Sequence, residues 1–161
     1  MKWWIALLSA LSVAAGIGRA SEPAPNAEEQ AKTEVARSLA EMGAAANAHD
    51  VERHVAFYAR DSSVTLIVNG EPITGWEAIR DRQREWWKNG KTDVVYEVEG
   101  RPQFLVLAPD VMLTTLFMIR RRHVDGGVSD IGLAVSAIWK KRPEGWRVIY
   151  SHESMSRVPA R

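Results

Sequence analysis

Cysteine is absent from all 161 residues. That excludes disulfides, thiolate metal sites, a cysteine nucleophile and a cysteine-linked lipid anchor. A strong excess of either charge is missing too: 21 Lys and Arg stand against 20 Asp and Glu, a formal net charge of +1. Nucleic-acid binders ordinarily carry a clustered basic surplus, so no nucleic-acid partner is expected. Long uncharged apolar runs are missing except at the N-terminus. There Lys2, the run Trp3 to Ile17 and the small-residue end Gly18-Arg19-Ala20 follow the three-part pattern of a secretory signal peptide. The run is shorter than the ~20 residues of a spanning helix. Residues 1–20 are therefore read as a signal peptide cut after Ala20, giving a periplasmic or secreted protein with no stable membrane insertion. Loss of Lys2 and Arg19 brings the formal charge to −1. An exported chain without disulfides rests on its hydrophobic core, and ~100–150 residues suffice for one.

What is present is ordered, with helical patterns first and strand patterns last. Residues 21–26 form a short Pro-containing linker, and a domain is expected over 27–156, with a tail at 157–161. Ala27 to Ala48 lacks proline, and Val35, Leu39, Met42 and Ala46 form one apolar stripe at helical spacing. Asp50 has the chemistry of an N-cap for a second helix, Val51 to Tyr58. Ser63 to Val68 reads as a strand ending at an Asn69-Gly70 turn, and Trp76 to about Lys88 as a third helix stopped by Asn89-Gly90. Three strand segments follow with hairpin signals between them: Thr92 to Leu107, interrupted by Gly100-Arg101-Pro102; Val111 to Val124; and Val128 to Lys141. The chain closes on Trp146 to Ser154. This order predicts an α+β fold, three N-terminal helices on an antiparallel sheet. Met112 to Ile119 is apolar on both faces, which predicts a homodimer through the sheet.

The closing segment carries the first candidate site. Strict alternation puts Trp146, Val148, Tyr150, His152 and Ser154 on one face, grading from apolar to polar as the wall of a pocket would. His152, with an ordinary pKa near 6.5, is the candidate acid or base, and Tyr150 a candidate donor beside it. The plainer alternative is that both only orient a ligand. Alternation sends Glu153 the other way, so no Ser-His-Glu triad is expected. Tyr58, Trp86, Tyr96, Phe117 and Met118, with Ser154, are candidate ligand contacts in a mainly apolar cavity. Taken singly, each of the aromatic and apolar ones reads more readily as plain core; together they imply an apolar pocket.

Asn47-Ala48-His49-Asp50, Phe57 to Val64, Gly70, Ile73-Thr74-Gly75, Ile138 to Lys141, Gly145-Trp146 and Tyr150 to Ser154 appear in an order that resembles the nuclear transport factor 2-like superfamily, in its SnoaL-like and ketosteroid-isomerase-like branch. The resemblance implies a cystatin-like cone, a curved sheet wrapped on helices with a pocket open at one end. Laid on this chain, the ketosteroid isomerase pattern puts its base on Leu66 and its oxyanion tyrosine on Met42. Ile131 to Trp139 holds no carboxylate for the third role. Steroid isomerisation needs all three groups, so that activity is not expected.

His49, Asp50 and His54 lack zinc-motif spacing, and neither a metal nor any other cofactor is expected. In Arg120-Arg121-Arg122, Arg121 faces opposite to its neighbours. An inward arginine has the geometry to hold a carboxylate, while the bland reading is a solvated strand end. Three functions remain open: a binding module for a small hydrophobic or amphipathic molecule, an isomerase, lyase or hydrolase using His152, and a non-catalytic interaction domain whose pocket is filled by its own side chains.

Overall fold

The computed structural model describes residues 26–157. The expected signal peptide, residues 21–25 of the linker and residues 158–161 of the tail lie outside the described residues. Helix α1, Ala27–Asn47, begins where Asn26 Oδ1 accepts from Glu29 N at 2.8 Å. Its buried stripe is Ala31, Val35, Ala45 and Ala46, with Leu39 and Met42 packed beside it. Helix α2, Val51–Val55, is capped by Asp50 Oδ1, which accepts from Arg53 N at 3.1 Å. It stops three residues short of the expected Tyr58. The backbone of Phe57 to Ala59 turns instead to pair with Val148, by Val148 N to Phe57 O at 2.8 Å and Ala59 N to Val148 O at 2.9 Å.

Strands β1, Thr65–Val68, and β2, Glu71–Thr74, form a hairpin over Asn69-Gly70, both with positive φ (51° and 90°). Asn-Gly is the sequence such a turn favours. β2 has no β-branched alternation to announce it, and its Pro72 is tolerated because the strand lies at the sheet edge. Helix α3, Trp76–Trp86, follows the hairpin, so two helices rather than three precede the sheet. Strands β3 (Val95–Ala108), β4 (Val111–Val124), β5 (Gly127–Arg142) and β6 (Gly145–Arg157) make a meander. The six-stranded order is β2-β1-β6-β5-β4-β3. β1 runs parallel to β6, which makes the sheet mixed instead of purely antiparallel. A return crossover through the whole meander brings these two distant strands side by side.

The main core lies between the helices and one sheet face. Trp139, Met112, Val148, Leu66, Val35 and Val55 are inaccessible there. The Trp139 indole buried in this apolar interior is satisfied, since its Nε1 donates to Thr114 Oγ1 at 3.0 Å. Glu34 ties α1 to the β5–β6 turn, accepting from Lys141 Nζ at 2.8 Å and Trp146 Nε1 at 2.9 Å. Among the described residues no helix is long and apolar enough to cross a membrane.

Candidate functional site

The inner face of β6 changes phase along its length. Trp139 on β5 lies opposite Val148, but the preceding Ile138 lies opposite Tyr150, so Ile149 is an extra residue, a β-bulge. Before it, Trp146 and Val148 point inward and are buried. After it, Ser151, Glu153 and Met155 point inward, while Tyr150, His152 and Ser154 point out. One inserted residue exchanges the two faces of everything downstream. The bulge falls between two docking events on the same strand, Phe57–Ala59 on Val148 and β1 on Tyr150 to Glu153.

A cavity of about 980 Å³ opens between the helices and this inner face. α1 contributes Leu39, Met42 and Asn47 to its wall, α2 contributes His54, and α3 contributes Gln83 and Trp86, with Trp87 just beyond. The sheet supplies Leu116, Met118, Leu133 and Val135, with Ser151, Glu153 and Arg120 among its polar members. Most of this wall is apolar, as small-molecule sites generally are.

Glu153 is the chemical centre. Its strand neighbours are Val68 on β1 and Val135 on β5, so no cation lies opposite it in the sheet. The backbone around it is pinned: Asn69 N donates to Glu153 O at 3.0 Å, and Met155 N donates to Asn69 Oδ1 at 2.9 Å. Burial in this apolar wall pushes the carboxyl up to about 7. What surface it retains faces the cavity. Beside Glu153, Tyr58 Oη and Ser151 Oγ lie 3.4 Å apart, sharing one hydrogen bond. Burial, and secondarily the Glu153 charge, raises the Tyr58 phenol well above its ordinary value, so it stays protonated.

His54 is the second buried titratable group. Its Nδ1 donates to Met42 O at 3.1 Å, leaving Nε2 as an acceptor. Burial lowers this imidazole to about 4, only partly opposed by the Met42 carbonyl. It stacks edge-on against Trp87, with ring centroids 5.1 Å apart. Trp87 Nε1 in turn donates to Tyr96 Oη at 3.1 Å. The Asn47 amide fixes Tyr96 by mimicking a strand, accepting from Tyr96 N at 2.8 Å and donating to Tyr96 O at 2.9 Å. The site therefore combines a carboxyl that titrates near neutrality, two phenols, a hydroxyl and a neutral imidazole, all set in an apolar chamber.

Of the residues singled out from sequence, Tyr58, Trp86, Tyr96 and Met118 lie on the cavity wall. Tyr150, His152, Ser154 and Phe117 do not. Tyr150 (37% exposed) and Phe117 (50% exposed) stand on the outer face of the sheet, with His152 and Ser154 exposed beside them. Ser151, Glu153 and His54 were not assigned to the pocket. The two on β6 had no signal, because the bulge is set by partner strands. His54 had one: it lies four residues before Tyr58, hence on the same side of the helical turn. Met42 is on the wall and Leu66 is buried off it. Arg121 lies on the outer face, its guanidinium taken up by Asp130 at 3.0 Å and Glu97 at 2.8 Å. Its neighbours Arg120 and Arg122 face the cavity. Among the described residues no three His, Asp or Glu side chains gather to hold a metal.

Solved structures with the same architecture give this chain its fold class. A nuclear transport factor 2-like protein with a cystatin-like fold from Novosphingobium aromaticivorans superposes with a TM-score of 0.68 at 17% identity, covering 80% of this chain and 83% of that one. A nuclear transport factor 2-like superfamily protein from Salmonella enterica gives 0.68 at 17% identity, over 83% and 96% of the two chains. A ketosteroid isomerase-like protein from Erwinia carotovora atroseptica gives 0.63 at 15% identity, over 78% and 96%. The chain has the nuclear transport factor 2-like fold; at these identities the likeness is one of fold alone. No protein-family model and no curated protein matches the sequence.

Proposed function

We propose that the chain binds a small, largely apolar molecule in the helix–sheet cavity, with Glu153 as its polar anchor. The observation that carries this reading is a carboxyl raised to about 7 on the wall of an apolar cavity of about 980 Å³. A buried acid with no cation opposite it is costly to keep, and a bound acceptor group would accept its proton. The open volume argues against a domain whose pocket is filled by its own side chains. The direct test uses N-phenyl-1-naphthylamine, a neutral apolar probe whose emission rises out of water. Saturable enhancement that is weakened by a bulky Ala137→Trp substitution in the wall supports the reading. No enhancement above that seen with the unfolded chain overturns it.

The same geometry supports a second reading, general acid–base catalysis. A carboxyl near neutrality is matched to proton transfer at neutral pH, and the Tyr58–Ser151 hydroxyl pair is a donor set for developing negative charge. Glu153 takes the role that sequence alone had given to His152. The outer sheet face, with Leu105, Leu107, Phe117 and Tyr150 exposed, supports pairing with a second copy. The N-terminal pattern supports export.

A further inference from the structure

Arginine side chains on the cavity wall are the feature that an apolar ligand leaves unexplained. On β4 the alternation puts Arg120 and Arg122 on the inner face, about 7 Å apart along the strand. Their neighbour Arg121 is neutralised on the other face by Asp130 and Glu97. Arg120 makes no ion pair among the described residues. It lies opposite Tyr96 on β3 and beside the Tyr96 hydroxyl, which accepts from Trp87 and keeps its own proton free to donate. Arg122 is exposed at the mouth, near Asp93.

Neither acid of the cavity wall pairs with Arg120, although the Glu153 charge reaches the Tyr96 hydroxyl. Glu71 belongs to β2, at the far edge of the sheet from β3 and β4. Glu153 is two strands away from Arg120 and, through Val135 and Leu116, four residues along β4. Strand spacings put the two backbones about 16 Å apart along the sheet. Between the two ends the inner face carries Leu116, Met118, Leu133 and Val135. Along the sheet wall an apolar stretch thus separates Arg120 from Glu153, and a third arginine of the lining, Arg82, comes from α3.

Resting on the reading that the cavity binds an apolar molecule, we propose that its ligand is an elongated apolar carboxylic acid whose carboxylate is held by Arg120 and the Tyr96 hydroxyl, with the chain lying along the Leu116–Met118–Leu133–Val135 wall. The planar guanidinium matches a carboxylate with two parallel hydrogen bonds, and Arg122 adds field at the entrance.

The test is displacement of N-phenyl-1-naphthylamine by decanoate and by decanamide, which share a chain and differ in charge. Decanoate should displace the probe at about tenfold to a hundredfold lower concentration than decanamide, the range of one charge-assisted contact. Arg120→Gln should abolish that preference and leave decanamide unchanged. Arg120→Lys should restore part of it. Arg121→Gln, on the outer face, should alter neither. Equal displacement by acid and amide, or a preference that survives Arg120→Gln, overturns the carboxylate site while the apolar cavity stands. Failure of the probe itself to bind overturns both.

Discussion

Replacing Glu153 with Gln should stabilise the protein at neutral and alkaline pH and leave it unchanged in mild acid. Gln has the shape of the protonated carboxyl and never ionises. The folded carboxyl titrates near 7 against an ordinary 4.5. Because the folded value is raised, the folded state holds the proton more tightly. The wild-type contribution is fully present below about pH 4.5 and is lost as pH rises through 7. At about 1.4 kcal/mol for each pH unit, the loss approaches about 3 kcal/mol, and water in the cavity trims it toward about 2 kcal/mol. His54 works the other way. Its folded value is lowered to about 4, so its contribution is present above 6.5 and is lost as pH falls toward 4. Between pH 4.5 and 6.5 the two slopes oppose each other, which flattens the wild-type curve. The variant lacks one of them, so its stability should climb with pH across that window. Urea denaturation of both proteins from pH 4.5 to 8.5 reads this directly. The two should coincide at the acid end and separate by about 2–3 kcal/mol at the alkaline end, a melting difference of roughly 10 °C. A stability difference that is constant with pH would refute the reasoning, since no proton would then be tied to the substitution.

Four further outcomes follow from the same structure. His54→Gln should remove the opposing slope, so that urea stability falls steadily from pH 4.5 to 7; an unchanged flat curve contradicts its burial as a neutral imidazole. Glu34 is held down to about 2 by its bonds to Lys141 and Trp146, so Glu34→Gln should cost about 1–2 kcal/mol at pH 7, a cost that fades between pH 4.5 and 2. Light scattering after size exclusion should give a dimer mass that Leu105→Glu with Phe117→Glu reduces to a monomer; a wild-type monomer at high concentration removes the sheet-face dimer. N-terminal sequencing of protein recovered from the periplasm or medium should begin at Ser21, and an intact Met1 there contradicts export with cleavage.

The helix starts and the turns were legible because their signals are local. The Val35–Leu39–Met42–Ala46 stripe, the Asp50 cap and the Asn69-Gly70 turn are each decided by neighbours within a few residues. The β3 interruption at Gly100-Arg101-Pro102 was local too, and the register does shift between Glu99 and Gln103. What was not legible depended on strands far apart in sequence. β2 carries proline because it is an edge, and being an edge is a property of the sheet. The parallel β1–β6 pairing joins residues 85 positions apart, such as Thr65 and Tyr150, and nothing in Thr65 to Val68 announces it. The bulge at Ile149 is the costliest case. Tyr58, Tyr96 and Met118 were assigned to the wall through aromatic and apolar character, which survives a small geometric error. Tyr150, His152 and Ser154 were assigned by counting in twos, which one extra residue inverts. His152 therefore stands on the outer face, and Glu153, dismissed by the same counting, lines the chamber.

The central claim is that Glu153 faces an apolar cavity and shares a proton with neutral solution. Titrating the side-chain carboxyl carbon of Glu153 by NMR in carbon-13-labelled protein, assigned by loss of the signal in Glu153→Gln, measures it most directly. A midpoint near pH 7 is the predicted result. A midpoint at the ordinary glutamate value of about 4.3 would contradict the account, because a carboxyl that ionises as freely as one in water is not on that wall.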